Sequence, residues 1–269
     1  MQWLSYQTDY QDTGYFPQII LDYIHQKDEL LPYISTFPSI KCIQEKITER
    51  KKINTNRSLL VAHLRHQYQS LAVSEKVQHS IQKLAEENTY TITTAHQPNL
   101  LTGPLYFIYK IVHAIRLADY CNQHISDCYF VPVYYMGTED ADFMELNHFT
   151  VRGKKYAWNT KQTGAFGRMQ VDRSLIQILD ELESQIADLP HASTIIQQLR
   201  HCYSEGKTIA AATFEWVHTL FESFGLVVLM PDSKEVKSVV AKVMEDDMFR
   251  HSAHSILEEV KSNYPYPQA

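Results

Sequence analysis

Cysteine is scarce in this chain, and its four copies are scattered. Cys42, Cys121, Cys128 and Cys202 form no C-x-x-C pair and match no zinc-ligand spacing, so neither a redox dithiol nor a metal site is expected, and free thiols suit a reducing cytosol. Positive charge is in deficit: 25 Lys and Arg stand against 31 Asp and Glu, a formal net charge of −6. That balance suits neither a phosphate backbone nor an anionic membrane surface, so no nucleic-acid or membrane partner is expected. No apolar run approaches the length a bilayer requires. The stretch Met1 to Gly14 has no basic n-region and no apolar h-region, so no signal peptide is read there. Walker and G-x-G-x-x-G motifs, internal repeats and low-complexity segments are all missing. These absences point to a soluble cytoplasmic protein.

What is present is a core. Of 269 residues, 44% are hydrophobic, enough for one large domain or a domain with an appendage. Seventeen tyrosines against three tryptophans suit packing in which rings are buried and hydroxyls stay wet.

The first 88 residues read as a helical segment. Phe16, Ile19, Ile20, Tyr23 and Ile24 have helical spacing between Tyr15 and His25; a second pattern runs from about Ile40 to Ala72; a third covers Ser74 to Asn88, with Ser74 as N-cap. From residue 89 onward the grammar changes to α/β. Tyr90 to Ala95 is short and β-branched, a buried strand. A loop at 96–104 leads into an amphipathic helix from Leu105 to Tyr120, with Pro104 at its first position and Thr102 or Gly103 as cap. Cys128 to Met136 is a second strand, locally bulged where Pro132 removes a ladder donor. Strands and turns fill Thr150 to Val171, two helices broken near Pro190 fill Asp172 to Ser204, and another helix covers Ile209 to Ser223. Gly225 to Met230 is a third buried strand, and Asp232 or Ser233 caps a helical region from Lys234 to about Ser262. Continuously apolar strands suit a parallel sheet with helices on both faces, and such sheets bind ligands beyond the carboxyl ends of their strands. The loops 96–104, 137–148 and 231–234 are therefore expected to line one crevice.

Two of these loops could carry chemistry. His96, Gln97 and Asn99 leave the first strand, and Thr102-Gly103-Pro104 opens a helix whose N-terminus would suit a phosphate or carboxylate, with Gly103 allowing close approach. The bland alternative is a capped helix start after a tight loop. In the second loop, Glu139, Asp140, Asp142 and Glu145 place four carboxylates within seven residues, which repel unless a divalent metal, an ammonium group or an arginine offsets them. They could serve as a general base toward an incoming amine, or they could be a solvated acidic turn. Lys110, two turns into the helix, would need a bent-back side chain to reach the first loop and ranks second. His113, His63, His66, His251 and His254 read as ordinary helix positions, since an H-x-x-H pair alone is weak evidence for a metal.

Thr94-Ala-His-Gln-Pro-Asn-Leu-Leu-Thr-Gly-Pro-Leu-Tyr-Phe-Ile-Tyr-Lys110 and Val131-Pro-Val-Tyr-Tyr-Met-Gly-Thr-Glu-Asp-Ala-Asp-Phe143 with Asn147-His148 resemble, in order, two blocks of the bacillithiol cysteine-adding enzymes, the BshC family. The chain departs from that pattern at Ala95-His96, where many members have Gly-Gln, and at Ala141, where many have His. The resemblance implies a Rossmann-like, nucleotidylyltransferase-type core and ligation of cysteine to the amino group of glucosaminyl-malate. It further implies that the chain is an N-terminal half, since members are about twice as long and carry a C-terminal coiled coil that makes a homodimer. It places His96, Gln97, Asn99, Thr102 and Gly103 in binding an anionic group, with Tyr106 and Lys110 as further substrate- or nucleotide-binding residues. Glu139, Asp140 and Asp142 would hold the amine and help remove a proton, with His148 as the neighbour that could replace the histidine missing at 141. The activating cofactor stays open, ATP among the options. A nucleotidylyltransferase of other substrate, a metal hydrolase using the acidic loop, and a non-catalytic binding module are the alternatives.

Overall fold

The computed structural model describes residues 4–263; Met1 to Trp3 and the terminal stretch from Tyr264 to Ala269 lie outside the described residues. Two compact units emerge: the residues up to Asn54 with those from Ala241 onward, and Thr55–Val240. The sequence reading placed its boundary at 88, whereas the unit holding the sheet already begins at Thr55.

The smaller unit is helical: Tyr10–Thr13, Gln18–Ile24, a 3-10 turn at Asp28–Leu30, Ile40–Arg50 and Ser252–Asn263. Ser39 starts the Ile40–Arg50 helix by accepting from the Cys42 N–H at 3.0 Å. The pattern expected to continue to Ala72 stops at Arg50. A second helix, Arg57–Tyr68, belongs to the larger unit and starts where Asn56 accepts from the Leu59 N–H.

The larger unit is built on three parallel strands, β1 (Thr89–His96), β2 (Tyr129–Met136) and, after the hairpin of β3 (His148–Val151) and β4 (Lys154–Ala157), β5 (Val227–Leu229); the sheet order is β1-β2-β5. β1 pairs with β2 residue for residue, from Thr89↔Tyr129 to His96↔Met136. No bulge interrupts that register at Pro132, which lies one residue before β2 begins pairing with β5 at Val133↔Val227. There the proline stands at an open edge, where a missing donor is tolerated.

Helices cover both faces, as a Rossmann-like sheet requires. The helix Tyr106–His124 brings Phe107 against Tyr134, with ring centroids 5.3 Å apart, while His79 of helix Glu75–Lys83 meets Tyr129 at 5.7 Å. Residues 129 and 134 differ in parity, so they point to opposite faces. The outer edge of β5 is closed by side chains: Gln67 donates to Val228 C=O and accepts from the Met230 N–H, and the Tyr68 hydroxyl accepts from the Val228 N–H. β1 departs from expectation. Thr91, Thr93 and Ala95 are exposed, so the strand is an edge with one face open rather than a buried run.

A second apolar cluster gathers the β3–β4 hairpin with helices Arg173–Ile186, Ala192–Cys202 and Ile209–Phe221 around fully buried Trp158. The last of these helices serves both cores, giving Ala212 and Trp216 to this cluster and Phe214, Val217 and Phe221 to the sheet. The loops beyond the strands are anchored in the second cluster by Leu100, and by Phe143, whose ring meets Trp158 and Phe166. The C-terminal helical region is two helices, Lys234–Arg250 and Ser252–Asn263, divided at His251, where φ is 55°. No helix among the described residues is long and apolar enough to cross a membrane.

Candidate active site

The His96↔Met136 pairing brings the loops after β1 and β2 side by side. The Gly137 N–H donates to His96 C=O at 2.9 Å, and the buried Tyr134 hydroxyl donates to the carbonyls of His96 and Gln97 at 3.1 and 3.3 Å. Gln97 Nε2 then donates to Asp140 Oδ2 at 3.0 Å. The Asp142 N–H and this amide hold the Asp140 carboxyl below its usual value.

The acidic loop is held from its far side by the 3-10 turn Phe166–Arg168. Phe166 N–H donates to Asp140 C=O at 2.7 Å and Gly167 N–H to Thr138 C=O at 3.1 Å. A Cβ on Gly167 would lie 2.4 Å from the Thr138 oxygen, so only glycine permits this approach. The turn delivers Arg168. Its guanidinium makes a two-pronged pair with Asp232, 2.7 Å on each arm, and reaches Glu139 at 3.3 Å. Lys237 bridges the same two carboxylates, 2.6 Å from Asp232. The Asp232 carboxyl is pulled down to about 2, chiefly by Arg168 and then, against its partial burial, by Lys237. The loops after β1, β2 and β5 are thus joined, the last through Asp232.

The four clustered carboxylates do not converge on one point. Glu139 faces Arg168 and Lys237, Asp140 faces Gln97, Asp142 caps the short helix Phe143–Leu146 by accepting from the Glu145 N–H, and the Glu145 carboxylate acts on the His96 imidazole. Their repulsion is offset by the protein's own cations and amide. Arg168, Thr138, Lys237 and the pairing role of Asp232 were missed in the sequence. The one available signal was the acidic density itself, which requires nearby positive charge without saying which residue supplies it.

The first loop differs from expectation in its capping. Helix Tyr106–His124 follows Leu105 and has no side-chain cap, so neither Thr102 nor Gly103 caps it. Instead Leu101, Thr102 and Gly103 all have positive φ, forming a tight turn. Gly103 (φ 62°, ψ −130°) occupies backbone space closed to other residues, and a Cβ there would meet Asn99 Cβ at 2.8 Å. Asn99 is tucked into the space thus left. The Thr138 Oγ1 is buried with no hydrogen-bond partner among the described residues, a polar atom at the strand ends able to accept from a bound group, whereas the Asn99 side chain, also buried, acts on the His96 imidazole and favours its charged form.

Lys110 does bend back: its Nζ donates to Ala95 C=O at 2.6 Å, setting an ammonium group at the end of β1. His96 Nε2 is 3.0 Å from the Tyr106 hydroxyl and its Nδ1 is 3.2 Å from Gln97 C=O. Burial lowers the imidazole pKa, against the carbonyl, and Lys110 adds to the lowering. His148 is placed apart. It opens β3 opposite Ala157, with Nδ1 3.2 Å from Asn147 Oδ1, and among the described residues no hydrogen bond, ion pair or ring contact joins it to the other candidates.

The chain is similar to three proteins named "Putative cysteine ligase BshC": that of Flavobacterium psychrophilum, 38% identical over 93% of this chain and 48% of the relative; that of Cytophaga hutchinsonii, 37% identical over 93% and 46%; and that of Flavobacterium johnsoniae, 35% identical over 93% and 47%. The chain spans about half the length of these curated relatives. The family model described as bacillithiol biosynthesis BshC, N-terminal Rossmann-like domain, matches residues 1–265. With a parallel sheet whose strand-end loops meet, and with that match over nearly its whole length, the chain belongs to the BshC family of bacillithiol biosynthesis.

Proposed function

We propose that this protein takes part in the ligation of cysteine to the amino group of glucosaminyl-malate, an amide-forming step of bacillithiol biosynthesis. The observation that carries the reading is the joining of the three strand-end loops by Gln97–Asp140 and by Arg168 between Glu139 and Asp232, in a chain whose relatives bear the cysteine ligase name. Open α/β sheets bind substrates at this end. Asn99, Thr102, Gly103 and Lys110 surround the place for an anionic group, the malate carboxylate or the carboxylate under activation. In this reading Asp140 and Glu139, beyond their contacts with Gln97, Arg168 and Lys237, hold the amine and the hydroxylated sugar. Asp142 and His148, engaged in a helix cap and a hairpin, take no proton in this reading. A carboxylate does not condense with an amine at a useful rate unaided, so the reading includes its activation, with ATP as the candidate. It extends to a cytoplasmic enzyme acting as a homodimer at the length of its relatives.

The test is formation of the cysteinyl product, followed by mass spectrometry, from cysteine and glucosaminyl-malate with and without ATP. It is run on this chain alone and together with the second half of a relative. Product in either arrangement supports the reading; its absence from both overturns it.

A further inference from the structure

We propose that Tyr106 and His96 form a proton relay that takes the proton from the substrate's ammonium group. The inference rests on the ligase reading and assigns to these two residues the deprotonation that reaction requires. A backbone carbonyl can only accept, so the Nδ1 contact with Gln97 C=O at 3.2 Å favours the neutral His96 that carries its ring proton on Nδ1. In that tautomer Nε2 is a bare acceptor, and its partner at 3.0 Å, the Tyr106 hydroxyl, donates. The lone pairs of that hydroxyl remain free to accept from a substrate N–H. Tyr106 is 49% exposed, enough for a ligand to reach it, and it stands at the start of a helix beside the carboxyl end of β1.

The step balances. A proton passes from the ammonium nitrogen to Tyr106 Oη while the hydroxyl's own proton passes to His96 Nε2. A neutral amine with a free lone pair and an imidazolium result, and the tyrosine is unchanged. The groups around the imidazole fit a base that is neutral at rest and able to charge. Lys110, from the same helix as Tyr106, disfavours the imidazolium; the Asn99 side chain and then Glu145, from Phe143–Leu146, favour it; Asp140 lies beyond Gln97; and the Phe107 ring closes one side at 5.4 Å. Burial keeps the resting ring uncharged near neutrality.

Two measurements test the relay. The first needs no turnover: nitrogen-15 NMR of the histidine side chains, with His96 assigned through H96Q, should show the neutral ring protonated on Nδ1 and bare on Nε2. A neutral ring protonated on Nε2 overturns the relay. The second is kinetic, on whichever form of the protein makes product. General acid–base groups contribute about 10²–10⁴-fold, so Y106F and H96Q should lower kcat by at least about a hundredfold with little change in KM. Activity of the unaltered protein should rise with pH through one group below the ordinary imidazole value, and H96Q should remove that limb. Variants that lose less than this, or that keep the limb, overturn the relay while the ligase reading stands. Absence of product from the unaltered protein overturns the ligase reading itself, and the relay with it.

Discussion

Gln97 and Asp140 are 43 positions apart in the chain and 3.0 Å apart in the fold, through an amide N–H donated to a carboxylate. That contact ties the exit of β1 to the exit of β2. It makes an asymmetric prediction. Gln97→Ala removes one partly buried hydrogen bond and should cost about 1 kcal/mol in urea unfolding. Gln97→Glu sets a carboxylate against Asp140 and should cost more and raise the Asp140 pKa. A Glu variant as stable as the parent would show that the two loops are not held by this pair.

Gly167 tests how closely the 3-10 turn must approach. Its φ is not among the positive ones, so an alanine would meet no backbone penalty there, only the Thr138 oxygen at 2.4 Å. Gly167→Ala should destabilise by about 1–3 kcal/mol as turn and loop move apart, and Arg168 should lose its register with Asp232. Unchanged thermal unfolding would contradict the close approach.

Trp158 anchors the second core. It is fully buried, and its indole N–H donates to Asp172 Oδ1 at 2.9 Å and Ser174 Oγ at 3.0 Å. Asp172 is itself the N-cap of Arg173–Ile186. Trp158→Phe keeps most of the volume and removes the donor, and should cost about 1–3 kcal/mol. Trp158→Ala should cost about 3–5 kcal/mol, because the cavity adds to the lost burial. Denaturant titration separates them; equal losses would mean that the hydrogen bonds dominate and packing does not.

Acid should reach the Arg168–Asp232–Lys237 cluster late. The Asp232 carboxyl is held at about 2, below the 3.8 of an unperturbed aspartate, so the folded state binds its proton less readily than the unfolded chain. The stability it contributes is fully present above the ordinary carboxylate value and is lost as pH falls through that value toward 2. Asp232→Asn should therefore flatten the fall in melting temperature across this window. Asp232 is mostly covered but its partners Arg168 and Lys237 are exposed, so raised salt should shrink the difference. Parallel curves for parent and variant would remove Asp232 from the acid response.

Much of the architecture follows from local pattern. Ser74 caps the Glu75–Lys83 helix as read, because a hydroxyl just before an apolar periodic run satisfies an otherwise orphaned N–H. β-branched runs mark β1 and β5, and the break near Pro190 separates two helices. Where the pattern misleads, a longer-range cause intervenes. Thr91 and Thr93 look buried in sequence because β-branching reports strand geometry, and Ala95 because it continues that run; which face of the strand is covered depends on helices elsewhere. Pro132 suggests a bulge until its place before the β5 pairing is known.

The alternation of strand and helix is set by periodicity, so the order of residues alone places His96, Glu139 and Asp232 near the carboxyl ends of parallel strands. Which charges meet there is decided by folding. Arg168 reaches Glu139 across 29 positions and Asp232 across 64, and Lys237 reaches Glu139 across 98. Coulomb attraction falls with distance in space, not along the chain, and nothing in the local run around Arg168 distinguishes it from a surface arginine. The Tyr106–His96 contact lies between. Ten positions and one tight turn separate them, yet the positive φ values at Leu101, Thr102 and Gly103 belong to a turn next to Leu100, which is buried in the second core, and residue order does not show that burial.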